Sequence, residues 1–160
     1  MLLSEQVSRI KGLMKLNESD DESKAAGAQI ICQKTKRTLV GLRAKSSENG
    51  GTWNGFGGSI DIKNGKTESV KEAVRREMSE EIGYTGKMDL VHEYQNKEKE
   101  GFVYHNFIGL VPEEFEPKLN NEHSDAKWIT YDELKSLKNK HFGLVAYMKE
   151  CQTEFKKYLA

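Results

Sequence analysis

The sequence predicts one α/β domain in which a mixed sheet packs between helices. Three observations carry this. The candidate elements run helix, strands, helix, strands, helices, so the strands do not alternate with helices as a doubly wound parallel sheet requires. The chain of 160 residues has the length of one domain, 1–160, and can bury a core without disulfide or metal staples. It contains no internal repeat and no low-complexity segment.

The elements follow in order. "LLSEQVSRIKGLMKL", residues 2–16, spaces Leu3, Val7, Ile10 and Met14 as one face of an amphipathic helix. Its charges are mixed rather than basic, which argues for packing on the domain or on a second copy, as in a homodimer, over a membrane surface. Residues 17–24 are a polar, acidic linker. "AQIICQ" and "RTLVGLRAK" read as paired strands. "SSENGGTWNGFGGSI" is rich in Gly and Asn and marks tight loops, with short strands at 53–56 and 59–61. A helix follows from Ser69 to Gly83, the glycine standing just past its C-terminus. "KMDLVHEYQ" and "GFVYHNFIGLV" are rich in β-formers, with "NKEKEG" as a hairpin loop between them. "DAKWIT" is a further strand, and "YDELKSLK" and "LVAYMKECQTEFKKYL" are helices.

Charge excludes little but points away from a global nucleic-acid or membrane field: 25 basic residues balance 25 acidic ones. No apolar run approaches the roughly 18 residues a membrane span needs, and the start lacks the pattern of a signal peptide. Cys32 and Cys151 form no CxxC pair and read as reduced thiols of a cytoplasmic protein.

The helix in "SVKEAVRREMSEEIGY" carries charge where it should bury apolar surface. With each residue turned about 100° from the last, Val70, Ala73, Val74, Met78 and Ile82 form one apolar arc from about 300° to about 120°. Glu77 falls at about 340° and Glu81 at about 20°, inside that arc. Glu80 lies at its edge, at about 280°, and Arg76 further round at about 240°. Burying like charges together is costly unless cations, a bound divalent metal or an open cleft relieves them.

The spacing around this helix resembles the Nudix box, GX5EX7REUXEEXGU with U a bulky apolar residue. Glu68, Arg76, Glu77, Met78, Glu80, Glu81 and Gly83 occupy its positions, and Tyr84 stands at the final U as an aromatic variant. Upstream, Gly57 and Gly58 form the expected pair, but nine residues separate Gly58 from Glu68 where the pattern has five. A four-residue lengthening with a turn at Asn64-Gly65 accounts for this.

The resemblance implies an α/β/α sandwich that hydrolyses a pyrophosphate bond in a nucleoside diphosphate linked to another moiety. It implies Mg²⁺, with Mn²⁺ as substitute, held mainly by Glu77 and Glu81, with Glu80 as a further ligand and backbone oxygen near Gly57 completing the set. Arg76 and Glu68 become an orienting pair. A general base is expected either in the box or on a later loop, where "NNEHSD" offers Glu122, His123 and Asp125. "WNGFGG" is similar to a stretch of MutT-like enzymes acting on oxidised purine nucleoside triphosphates. Trp53, Asn54 and Phe56, with Trp128 and Asp132, are therefore candidates for a base pocket, and Arg43 and Lys45 for phosphate contact. ADP-ribose, nucleotide sugars, dinucleoside polyphosphates and capped RNA ends are alternative substrates, and a nucleotide-binding regulator without turnover is the alternative of another class.

Overall fold

The computed structural model describes residues 23–97 and 100–160. The N-terminal helix expected over 2–16 and most of the linker lie outside these residues.

The strands are β1 (Ser23–Cys32), β2 (Thr38–Arg43), β3 (Trp53–Asn54), β4 (Phe56–Ser59), β5 (Ile62–Lys63), β6 (Lys66–Thr67), β7 (Asp89–Asn96), β8 (Phe102–Val111) and β9 (His123–Ile129). The helices are α1 (Val70–Ile82), α2 (Tyr131–Ser136), α3 (Phe142–Glu150) and α4 (Gln152–Leu159). β1 lies at the centre of the main sheet. It runs parallel to β8 from Ser23↔Phe102 to Cys32↔Val111, and β8 pairs antiparallel with β7. The other edge of β1 is shared: β4 pairs with Ala25 to Ala28, and β2 with Ile30 and Ile31. β2 also pairs with β3 and β9.

Alternation along the strands builds two cores from adjacent residues. Ile30, Leu39 and Phe107 face α1 and pack with Val74, Met78 and Ile82. Their neighbours Ile31, Val40 and Ile108 face the other way and pack with Leu134, Leu144, Tyr147, Phe155 and Leu159 of α2 to α4. The result is an α/β/α sandwich with a mixed sheet, as the order of elements predicts. Full burial of each large apolar side chain contributes about 1.5–3 kcal/mol, so Met78 and Ile82 alone fix α1 firmly to the sheet.

Three local features depart from expectation. β1 starts at Ser23, inside the stretch read as linker, because "SKAAG" has little intrinsic strand preference. Tertiary pairing overrides that, and Gly27 is required there: a Cβ on it would strike the Phe56 carbonyl and the Tyr104 hydroxyl. The lengthened loop before α1 forms its own hairpin, β5–β6, turning at Asn64 and Gly65 with φ of 53° and 74°. The final helix, read as continuous over 144–159, breaks at Cys151, whose φ of −123° and ψ of 40° are not helical.

Candidate active site

Local signals set the ends of α1. Ser69 caps its N-terminus by accepting a bond from Glu72 N–H (3.1 Å). Gly83, at φ 67°, ends it in the left-handed region, where glycine carries no steric penalty. Between these ends the carboxylates do lie on the inward face: Glu77 is 8% exposed and Glu81 2%, beside Val74, Met78 and Ile82.

Two glycines of β4 make room for them. The Gly57 N–H donates to Glu81 Oε2 at 3.2 Å. A Cβ on Gly58 would stand 2.5 Å from Glu77 Oε1, so any other residue would displace that carboxylate. This geometry gives a steric meaning to the Gly-Gly pair.

Arg76 organises the acidic cluster. Its Nε and Nη2 donate to both oxygens of Glu68 (2.9 and 3.0 Å). Its Nη1 donates to Glu77 Oε1 and Glu80 Oε2 (each 3.0 Å), and Nη2 also reaches the Ser59 carbonyl (2.8 Å). Asp61 stands 3.3 Å from Nε. Glu68 is held further by the Asp61 N–H (3.1 Å) and returns a bond from its own N–H to the Asp61 carbonyl (2.9 Å). The hydrogen bonds from Arg76 hold the Glu68 carboxyl below the usual carboxylate range.

Among the described residues, no guanidinium bonds to Glu81. Burial, then the charges of Glu77 and Glu122, push its pKa up to about 9, against the smaller pull of the Gly57 N–H. Burial also raises Glu77, although Arg76 opposes the shift. Two buried carboxylates that resist ionising together need either a proton or a cation between them. Their oxygen-only donors, with Glu80 beside them, suit a hard divalent ion.

Of the three loop candidates for a base, the structure brings Glu122 to this cluster, where its side chain interacts with that of Glu81. His123 is turned into the core, 4% exposed, its ring tilted against Phe56 at a centroid distance of 4.9 Å. Neither ring nitrogen has a hydrogen-bond partner among the described residues. Burial, and then Arg43, lower its pKa to about 4, so the imidazole is neutral at neutral pH. Asp125 is exposed and accepts from the Ala126 N–H (2.8 Å).

The candidates for base recognition separate. Asn54 and Phe56 line a small cavity with Gln29, Tyr104, Asn106 and Tyr147. Its volume of about 10 Å³ admits one water, so a ring enters only if side chains move. Trp53 instead packs on the core of α2 to α4 beneath Lys127, whose ammonium lies 4.6 Å from the ring centroid. Trp128 donates from Nε1 to the Phe115 carbonyl (3.0 Å) and packs against the α1 side. Asp132 is exposed in the first turn of α2 and pairs with Lys135 at 3.1 Å. Arg43 donates from Nε to the Glu48 carbonyl (2.7 Å), and Lys45 is exposed. Sequence reasoning does not find Gln29, Tyr104 and Asn106. Their signal is a polar residue at an otherwise apolar alternating position of a central strand, visible only once the strands are aligned.

Comparison with known proteins fits this picture. The family model for the NUDIX domain matches residues 22–150. The fold is similar to a Nudix hydrolase from M. smegmatis, RenU, with a TM-score of 0.71 and 21% identity over 85% of this chain and 87% of that one. It is similar to a MutT protein from Methanosarcina mazei (TM-score 0.65, 23% identity, 84% and 93% covered). It is also similar to an Ap4A hydrolase from C. elegans (TM-score 0.66, 14% identity, 84% and 99% covered). At these identities the structural likeness speaks for the fold, and the family model together with the acidic helix speaks for the family: the chain belongs to the Nudix family.

Proposed function

We propose that this Nudix enzyme hydrolyses a pyrophosphate bond of a nucleoside triphosphate, with Mg²⁺ held by Glu77, Glu81 and Glu80 and backbone oxygen near Gly57. The observation that carries the reading is the buried pair Glu77 and Glu81, of which Glu81 is left without a cationic partner among the described residues. When bound, the cation would neutralise the pyrophosphate and lower the pKa of a water at the site.

The chain's own groups do the rest. Arg76 fixes Glu77 and Glu80 in one orientation and ties them to Glu68, so the ligands are held before the cation arrives. Glu122, beside Glu81, is the group placed to take a proton from the attacking water. As water oxygen bonds to phosphorus, the P–O bond to the bridging oxygen breaks, and the leaving group, pyrophosphate or nucleoside monophosphate according to which phosphorus is attacked, departs with that oxygen and the bond's electron pair.

Once side-chain movement opens the cavity beside β1, its lining would suit a nucleobase as the recognised moiety. The amides of Gln29, Asn54 and Asn106 present both donors and acceptors, and Phe56 and Tyr147 present aromatic faces. An oxidised purine is one such base. Likeness in fold to an Ap4A hydrolase favours dinucleoside polyphosphates as the second reading.

A substrate panel tests this: ordinary and oxidised nucleoside triphosphates, ADP-ribose, nucleotide sugars, dinucleoside polyphosphates and capped RNA, each with Mg²⁺ or Mn²⁺. The expected result is highest kcat/KM for a nucleoside triphosphate with release of pyrophosphate, and a raised KM in Asn54→Ala. Tight nucleotide binding without turnover of any compound would instead establish a regulator.

A further inference from the structure

A second cluster of donors stands on the opposite face of the sheet from the acidic helix. His92, Cys151 and Glu154 each present one ligand atom, and the three atoms lie within 4.8 Å of one another. Cys151 and Glu154 belong to the α3–α4 side, whereas Glu77 and Glu81 belong to the α1 side. The match to the Nudix family ends at residue 150, so two of the three donors lie beyond it.

Two irregularities of the backbone converge on this point. β7 carries a bulge between Val91 and Glu93, and His92 occupies it at a φ of 50°. The bulge breaks the alternation of the strand, so that Val91, His92 and Tyr94 all meet the side of α3. The helix break at Cys151 is the second. It has no Pro or Gly to cause it, and the Cys151 side chain caps neither helix. Together they aim an imidazole, a thiol and a carboxylate at one another. Neither bend is required by the hydrophobic pattern.

The contacts suit a cation better than an ion pair. His92 Nδ1 lies 3.4 Å from the Tyr147 hydroxyl, to which it donates in the tautomer that leaves the Nε2 lone pair bare. That lone pair faces Glu154 Oε1 at 3.8 Å, too far for a hydrogen bond. Two ligands on one tetrahedral ion stand about 3.3–3.8 Å apart, given bonds of about 2.0–2.3 Å to N, O and S. The partly exposed Glu154 side chain has room to rotate toward such an ion.

We propose that His92, Cys151 and Glu154 form a second cation site, for Zn²⁺ or a similar borderline-soft divalent ion, that clips the α3–α4 junction to β7. The thiolate and imidazole select against Mg²⁺, so the two sites take different ions. Water fills the fourth position. Because Leu144 and Tyr147 of α3 also line the cavity beside β1, the clip holds one wall of that cavity in place.

Cobalt(II) is the probe. Added to chelator-stripped protein, it should give a thiolate-to-cobalt charge-transfer band that saturates at one equivalent and is displaced by one equivalent of Zn²⁺. The band should vanish in Cys151→Ser, and His92→Gln and Glu154→Gln should each weaken binding at least tenfold. Tyr147→Phe should keep the band but weaken binding about tenfold, because it removes only the partner that orients His92. Excess Mg²⁺ and the Glu81→Gln substitution should leave it unchanged. With free Zn²⁺ at about a hundred times Kd, Tm should rise by about 5–10 °C. Absence of the band in the wild-type chain overturns the proposal, independently of whether any variant folds. So does a band that survives in Cys151→Ser, since it would then arise at Cys32.

Discussion

Glu81→Gln should stabilise the fold while abolishing the reaction. In the folded chain the Glu81 carboxyl titrates near 9, against 4.5 ordinarily. A carboxyl raised in this way contributes to stability below its ordinary pKa, and that contribution is lost as pH rises toward the folded value. A pH of 7.5 lies about three pH units above that ordinary value, and at about 1.4 kcal/mol per unit the upper bound on the cost is about 4 kcal/mol. The amide of glutamine carries no such penalty and keeps an oxygen for the Gly57 N–H. Relaxation and coupling to Glu77 reduce the gain to about 2 kcal/mol, which is still large for one substitution. Urea unfolding in EDTA at pH 5, 7 and 9 measures it. The variant should be nearly as stable as wild type at pH 5, and its advantage should grow as pH rises to 9. With Mg²⁺ present the wild type should recover stability and the variant should not, and kcat should fall about a thousandfold. Equal stabilities at pH 7.5, or a difference that does not change with pH, would refute the claim that burial and repulsion strain this carboxylate.

Other perturbations probe the same frame. Gly58→Ala places a Cβ 2.5 Å from Glu77, so turnover should drop at least a hundredfold and Mg²⁺ titration should show weakened binding, with far-ultraviolet dichroism unchanged. Arg76→Ala leaves Glu68, Glu77 and Glu80 uncompensated; with a guanidinium still partly open to water, chemical denaturation should show a loss of about 2–3 kcal/mol. Deleting residues 63–66 should leave kcat/KM within about threefold. The Glu68 N–H bond to the Asp61 carbonyl and the Asp61 N–H bond to the Glu68 carboxylate already close the base of the β5–β6 hairpin, and the deletion leaves a four-residue turn bridged by the first of them.

The acidic helix was legible in the sequence because both of its signals are local. Capping by Ser69 and Gly83 sets its ends, and the angular positions of Glu77 and Glu81 among Val74, Met78 and Ile82 follow from helical period alone. The sandwich was legible in the order of the elements, since strands that do not alternate with helices exclude a doubly wound sheet. Residues placed by analogy fared differently. Trp128 and Asp132 carry suitable side chains, but the register of β9 against β2 turns Trp128 toward Phe115 and leaves Asp132 at a helix start.

What the sequence determined by itself is the order of the main elements, the apolar arc of the acidic helix and the spacing of its carboxylates, all signals carried within a few turns of chain. Tertiary structure decided what meets across the sheet. It brought Glu122 to Glu81 although β7 and β8 lie between them along the chain. It ran "SKAAG" as a central strand paired with β4 and β8, where the Phe56 carbonyl and the Tyr104 hydroxyl leave no room for a side chain at Gly27. It bent β7 at His92 and the last helix at Cys151 until their side chains met. Contacts of that kind depend on pairing register and on bends that cost local energy, and neither is written in the period of the residues that make them.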